Sequence, residues 1–137
     1  MDKGKSHVFC ITGDGELQEG QIWEAAMTAG HYKLDNLICI IDKNDLQIDG
    51  HVKDVMGIDP LEDKFKAFNW HVLNCDGHNI QEICNIYDQA MLLKDKPTCI
   101  IAHTIKGKGV SFMENQAGWH GKAPNKDQCT IALEELA

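Results

Sequence analysis

The sequence predicts an α/β domain: an open, doubly wound, mostly parallel sheet with helices on both faces. Four short runs rich in apolar, β-branched or aromatic residues read as buried strands, at residues 7–12 (HVFCIT), 37–41 (LICII), 70–74 (WHVLN) and 98–102 (TCIIA). Patterns of helical period lie between them, and strand, helix, strand repeated three times implies right-handed parallel crossovers. The 137 residues suffice for one such domain, spanning 1–137, and not for two typical ones.

Between the first two strands, residues 17–32 are polar at their start and alanine-rich later, as a helix leaving a polar edge for a core would be. Leu61, Phe65 and Phe68 form a stripe ahead of the third strand. Ile80, Ile83, Cys84, Tyr87, Ala90 and Met91 then fall on one helical face. Asp59 followed by Pro60 predicts an N-cap with proline at the first helical position, and Asn79 with Glu82 resembles a capping box. Residues 103–126 contain Gly and Lys without periodicity, which in a compact domain points to a functional loop. A short last helix with Cys129, Ala132, Leu133 and Leu136 on one face is expected after it.

A formal net charge of -8 argues against broad nucleic-acid binding and against docking on anionic lipid, both of which need basic surface. No apolar run approaches the roughly 20 residues that span a bilayer, so a cytoplasmic chain without membrane contact is expected. The six cysteines show no C-x-x-C pair and mostly sit in apolar runs, which predicts buried, reduced thiols in a reducing compartment.

Ligands of such sheets sit beyond the carboxyl ends of the strands. Gly13-Asp14-Gly15 follows the first strand directly, where glycine permits a tight turn and close ligand approach. The second strand delivers Asp42-Lys43-Asn44-Asp45-Leu46 to the same edge. The Asp14 carboxylate, the Asn44 amide oxygen and a nearby backbone carbonyl would form a hard-oxygen set suited to Mg²⁺ or Ca²⁺, with positions left for diphosphate oxygens. Equally, Asn44 could do no more than cap a turn leading to Asp49-Gly50.

GDG followed about thirty residues later by an asparagine resembles the thiamine-diphosphate fingerprint, and GDGELQEGQIWEAA is similar to its transketolase version. KLDNLICIIDKNDLQIDG, the DGHN at residues 76–79 and TIKGKGVSFMENQAGWHGKAPN also look like consecutive transketolase segments, so the resemblance spans essentially the whole chain. It implies that Asp14 and Asn44 bind the divalent ion through side chains and Leu46 through its carbonyl. Gly15, flanked by Gly13 and Glu16 in the same cofactor-binding turn, would contact the diphosphate through its backbone.

Glu19 and Glu24 match two family acids in a carboxylate network that links paired active sites across a dimer; from the residues alone they serve equally as a solvated helix face. Lys106 and His120, the latter within Trp119-His120-Gly121, match family residues near the cofactor diphosphate and the substrate. The catalytic set implied is His120, Lys106, Glu19 and Glu24. His78 reads as a structural residue shaping the turn into the next helix.

The resemblance implies transfer of a two-carbon ketol unit from a ketose phosphate to an aldose phosphate, as in the pentose phosphate pathway. The glutamate that activates the aminopyrimidine ring in the family belongs to a second domain, and nothing here corresponds to it. The chain therefore resembles the N-terminal subunit of a split transketolase, which implies a C-terminal, pyrimidine-domain partner in a dimer or heterotetramer. The family's upstream segment is also missing, so Met1 is expected to be internal to a longer polypeptide and the isolated chain to bind cofactor weakly. Two other readings stand beside this one: a non-catalytic cofactor-binding or interaction remnant, and another thiamine-diphosphate enzyme such as a deoxyxylulose-phosphate synthase or a decarboxylase. The WHG loop and the EGQIWEA helix weigh against the second.

Overall fold

The computed structural model describes residues 6–137, so the expectation about Met1 lies outside the described residues. In chain order the strands are β1 (Val8–Gly13), β2 (Leu37–Lys43), a small pair β3 (Leu46–Gln47) and β4 (Gly50–His51), β5 (His71–Asp76) and β6 (Thr98–His103). The helices are α1 (Gly20–Tyr32), α2 (Val52–Met56), α3 (Leu61–Ala67), α4 (Ile80–Leu92) and α5 (Lys126–Glu135). The four long strands make one parallel sheet in the order β1-β2-β6-β5. The chain thus passes beyond β2 to lay down β5, then returns to fill the gap with β6.

Alternation along the strands sorts the core onto two faces. Cys39, Ile41, Cys99 and Ile101 meet Ala26 and Ala29 of α1 and Leu61 and Phe65 of α3. Ile38, Ile40, Ile100 and Cys75 meet Ile86 and Ala90 of α4. Ile38, Ile41 and Ile100 are fully buried, each contributing about 1.5–3 kcal/mol of hydrophobic stabilisation. Gly30 lets α1 close on the end of α3, since a Cβ there would lie 1.9 Å from the Phe68 carbonyl oxygen. The Trp70 indole N–H donates to the Ala26 carbonyl at 2.9 Å and satisfies that buried contact.

The doubly wound sheet is as expected, and several local expectations need correction. The stretch 17–32 is not one helix. A 3₁₀ turn, Gly15–Gln18, precedes α1, and extended Glu19 (ψ 125°) separates the two. Pro60 takes the cap position of α3 itself, with no side-chain cap; the Asp59 carboxylate lies 3.7 Å from the Lys43 ammonium instead. The α4 capping box is half formed, because Asn79 accepts from the Glu82 amide while Glu82 accepts from Asp76. A complete box forms at Asn125 and Gln128, ahead of α5. That helix buries no residue, and Leu133 and Leu136 stand 65% and 60% exposed.

Only half of the cysteines fit the buried class. Cys39, Cys75 and Cys99 are buried, and burial pushes the Cys39 thiol to about 11, far from reactivity at neutral pH. Cys10, Cys84 and Cys129 are exposed, because β1 is an edge strand, Cys84 lies on the outer side of α4 and α5 buries none of its residues. The same edge leaves Val8, Phe9 and Ile11 uncovered, Ile11 at 69%. Strands of a parallel sheet are ordinarily covered on both faces. Among the described residues, no helix is long and apolar enough to cross a membrane.

Candidate active site

The ladder sets the strand ends level. Gly13, Asp42, Ala102 and Cys75 form one row across the sheet, and Lys43, His103 and Asp76 form the next. Four loops therefore leave one edge together, and those after β1, β2 and β6 converge. They enclose a cavity of about 490 Å³.

Asp14 joins the first two. Its backbone N–H donates to the Asp42 carbonyl at 3.1 Å. Its carboxylate, 1% exposed, accepts the Gly15 amide at 2.8 Å and the Asp45 amide at 2.6 Å. Burial pushes this carboxyl above its ordinary value, although both amides and the nearby Lys43 charge pull the other way. Asn44 does shape a turn, as one reading of it expected: its side-chain oxygen accepts the Leu46 amide at 3.0 Å, with Asp45 in the left-handed region at φ 63°. It also lines the cavity beside Leu46. The Gly13 amide is taken by Glu16, at 3.2 Å. A Cβ on Gly13 would meet nothing within 4 Å, so the cavity wall there is open backbone.

Lys106 and His120 reach the cavity from the loop after β6, and Glu19 from the start of α1. Glu24 does not; it stands exposed on α1, one turn further along. The loop is knit by its own contacts. Gly107, at φ 71°, lets the Met113 carbonyl oxygen approach to where a Cβ would be 2.6 Å away. The Asn115 amide donates to the Lys106 carbonyl at 2.9 Å, and the Trp119 indole N–H to the Phe112 carbonyl at 2.9 Å. Glu135 of α5 accepts both the amide and the hydroxyl of Ser111 at 2.6 Å, which holds its carboxyl below the ordinary glutamate value.

Some lining residues were not singled out from sequence. Ile48, 72% exposed, adds an apolar side chain to the cavity wall beside Leu46, carried by the β3–β4 turn; the Asp49-Gly50 pair is the hairpin signal that could have found it. Asp42 and Asp49 add carboxylates to those of Asp14, Glu16 and Glu19, against Lys106 and His120. An anionic ligand entering so acidic a cavity needs a cation between. Among the described residues no three His, Cys, Asp or Glu side chains converge on a metal position. A cation at this edge would therefore combine the Asp14 carboxylate with neutral oxygens of Asn44 and Leu46, a donor set that fits a hard divalent ion. A second cavity of about 500 Å³, with Lys43, Asp59, Asn74 and His103 among its lining residues, contains none of the catalytic, cofactor or metal residues expected from sequence.

Residues 1–136 match the family described as transketolase, thiamine diphosphate binding domain. The chain is 46% identical over 136 residues to the 6-deoxy-6-sulfo-D-fructose transketolase subunit SqwG of Clostridium sp. (strain MSTE9), covering 99% of this chain and 50% of that protein. It is 47% identical over 132 residues to an apulose-4-phosphate transketolase subunit of Actinobacillus succinogenes, covering 96% and 48%. The transketolase structure from Campylobacter jejuni superposes with a TM-score of 0.89 at 35% identity, over 95% of this chain and 20% of that one. The chain thus spans about half the length of the subunit relatives and about a fifth of that transketolase.

Proposed function

We propose that this chain, which belongs to the transketolase family as a thiamine diphosphate binding domain, is the cofactor-diphosphate part of a split transketolase. It acts with a pyrimidine-domain subunit, in the cytoplasm, to move a two-carbon ketol unit between sugar phosphates. The observation that carries the reading is the junction at Asp14, a buried carboxylate that ties the first two loops together beside Asn44 and Leu46.

Asp14, Asn44 and Leu46 would hold Mg²⁺ through oxygen, relieving the burial cost of the Asp14 charge and offsetting the acidic wall. Lys106 and His120 would meet the diphosphate and the substrate from the opposite side, where a lysine supplies a point charge and a histidine can hold or pass a proton. Bound there, thiamine diphosphate supplies the electron sink for carbon–carbon cleavage. Glu19 and Glu24 belong to a carboxylate network between sites across a dimer or heterotetramer. The uncovered edge of β1 supports a domain completed by a further segment, and hence weak cofactor binding by the chain alone. That edge also favours the second reading, an interaction remnant without turnover.

Titration of thiamine diphosphate, with and without Mg²⁺, into the chain alone and into the chain mixed with a pyrimidine-domain subunit tests the proposal. Binding that requires Mg²⁺, with ketol transfer from a ketose phosphate only in the mixture, is expected. A mixture that binds cofactor and never transfers would point to the remnant. Turnover of pyruvate in place of a ketose phosphate would point to a different thiamine-diphosphate enzyme.

A further inference from the structure

The loop bearing Lys106 leaves β6 under tethers from both neighbouring strands. On one side the Thr104 hydroxyl donates to the Asp42 carboxylate, and the Thr104 amide to the Lys43 carbonyl at 3.1 Å. On the other, the turn after β5 presses close. The Gly77 amide donates to the His103 carbonyl at 2.8 Å, and a Cβ on Gly77 would lie 2.4 Å from the Thr104 methyl. From that turn the His78 ring reaches across, and its Nε2 accepts the Ile105 amide at 2.7 Å. The backbone of His78 shapes the turn, donating to Asp76 at 2.8 Å, but its side chain serves a different loop. Lys106 is the next residue.

We propose that His78 is a positioning residue for Lys106: its imidazole fixes the backbone just before the lysine, so that the ammonium reaches the cavity from a set direction. A backbone amide can only donate, so Nε2 must be the unprotonated nitrogen and the ring proton sits on Nδ1. Asp42 holds the preceding residue from the β2 side, and Lys106 leaves a backbone fixed at two consecutive positions. A flexible four-carbon side chain gains reach and direction from such an anchor, because less freedom remains to be lost when it meets a ligand. The inference rests on the reading of Lys106 as a diphosphate contact.

Amide hydrogen exchange at Ile105 and calorimetric titration of thiamine diphosphate with Mg²⁺ test it together. His78→Asn, too short to reach, and His78→Phe, without an acceptor, should each speed exchange at Ile105 and weaken binding by about fivefold, the size of one net hydrogen bond. His78→Gln, whose side-chain oxygen extends about as far as Nε2, should keep both within about twofold of the parent. In a Lys106→Ala background His78→Phe should cost no further affinity, as expected for two residues acting through one contact. Unchanged exchange in all His78 variants would overturn the tether, and additive losses in the double variant would overturn its link to Lys106. Lys106→Ala with unaltered affinity would instead sink the reading of the lysine, while exchange at Ile105 still reports whether the tether exists.

Discussion

The two sides of the cavity are built by different means. The Asp14–Asn44 side consists of strand ends and the first residues beyond them; its central carboxylate is buried and bonded to backbone amides on both loops. The Lys106–His120 side is a long loop with an exposed histidine, held by contacts within itself and by side-chain tethers from Asp42, His78 and Glu135. The sheet sets the first side, whose geometry persists while the fold does. The second side lies outside the sheet and depends on its own turns and side-chain tethers, as binding loops commonly do. The rigid side offers the fixed ligands that the proposed metal ion would need, and the tethered side the reach that the proposed diphosphate and substrate contacts would need.

Changes on the rigid side should have the largest effect. Asp14→Asn and Asn44→Ala are each expected to weaken Mg²⁺-dependent cofactor binding by more than about 100-fold, exceeding the loss typical for partners that only support a metal ligand. Asp14 also carries a pH signature. Its carboxyl is raised in the folded chain, so the folded state holds that proton more tightly than the unfolded one. Stability of the metal-free chain should therefore fall as pH rises from the ordinary aspartate value through the raised one. Denaturant titration across that range should show the fall in the parent chain and its loss in Asp14→Asn.

On the tethered side, Gly107→Ala should cost about 1–3 kcal/mol in chemical denaturation, since it forces a side chain into a left-handed position against the Met113 carbonyl. Lys106→Ala should leave unfolding unchanged and weaken cofactor binding about tenfold by calorimetry, with the loss shrinking at high salt. Smallest is Glu135→Gln. Its carboxyl lies below the ordinary value, so the Ser111 contact is complete above that value and is lost as pH falls through the depressed one. The variant should remove this pH dependence of Ser111 amide exchange and leave cofactor affinity within about twofold.

Strand positions and the loops carrying Asp14, Asn44 and Lys106 were legible in the sequence because they depend on short-range signals: apolar runs, a Gly-Asp-Gly turn and a break in periodicity. What escaped depends on pairing between distant residues. Thr104 with Asp42 and Ile105 with His78 are contacts between segments far apart in the chain, and neither has a local pattern. The exposure of Cys10 and of the apolar side chains on α5 escaped for a related reason. Apolar sequence states what a residue can bury against and not whether a neighbour is present, so an edge strand and an unpacked helix read like covered ones. Asp59-Pro60 resembles a capped helix start, yet the extended backbone of Pro60 occupies the cap position and leaves Asp59 one residue outside it.

The proposed function requires a divalent cation at the junction of the first two loops. Mn²⁺ added with thiamine diphosphate to the ¹⁵N-labelled chain tests it directly, because a paramagnetic ion broadens the signals of nearby amides. Broadening strongest at residues 13–15 and 44–46, falling off with distance from them and absent from Asp14→Asn, is expected. Equal broadening in that variant, or broadening centred on Asp59 and His103 in the second cavity, would contradict it.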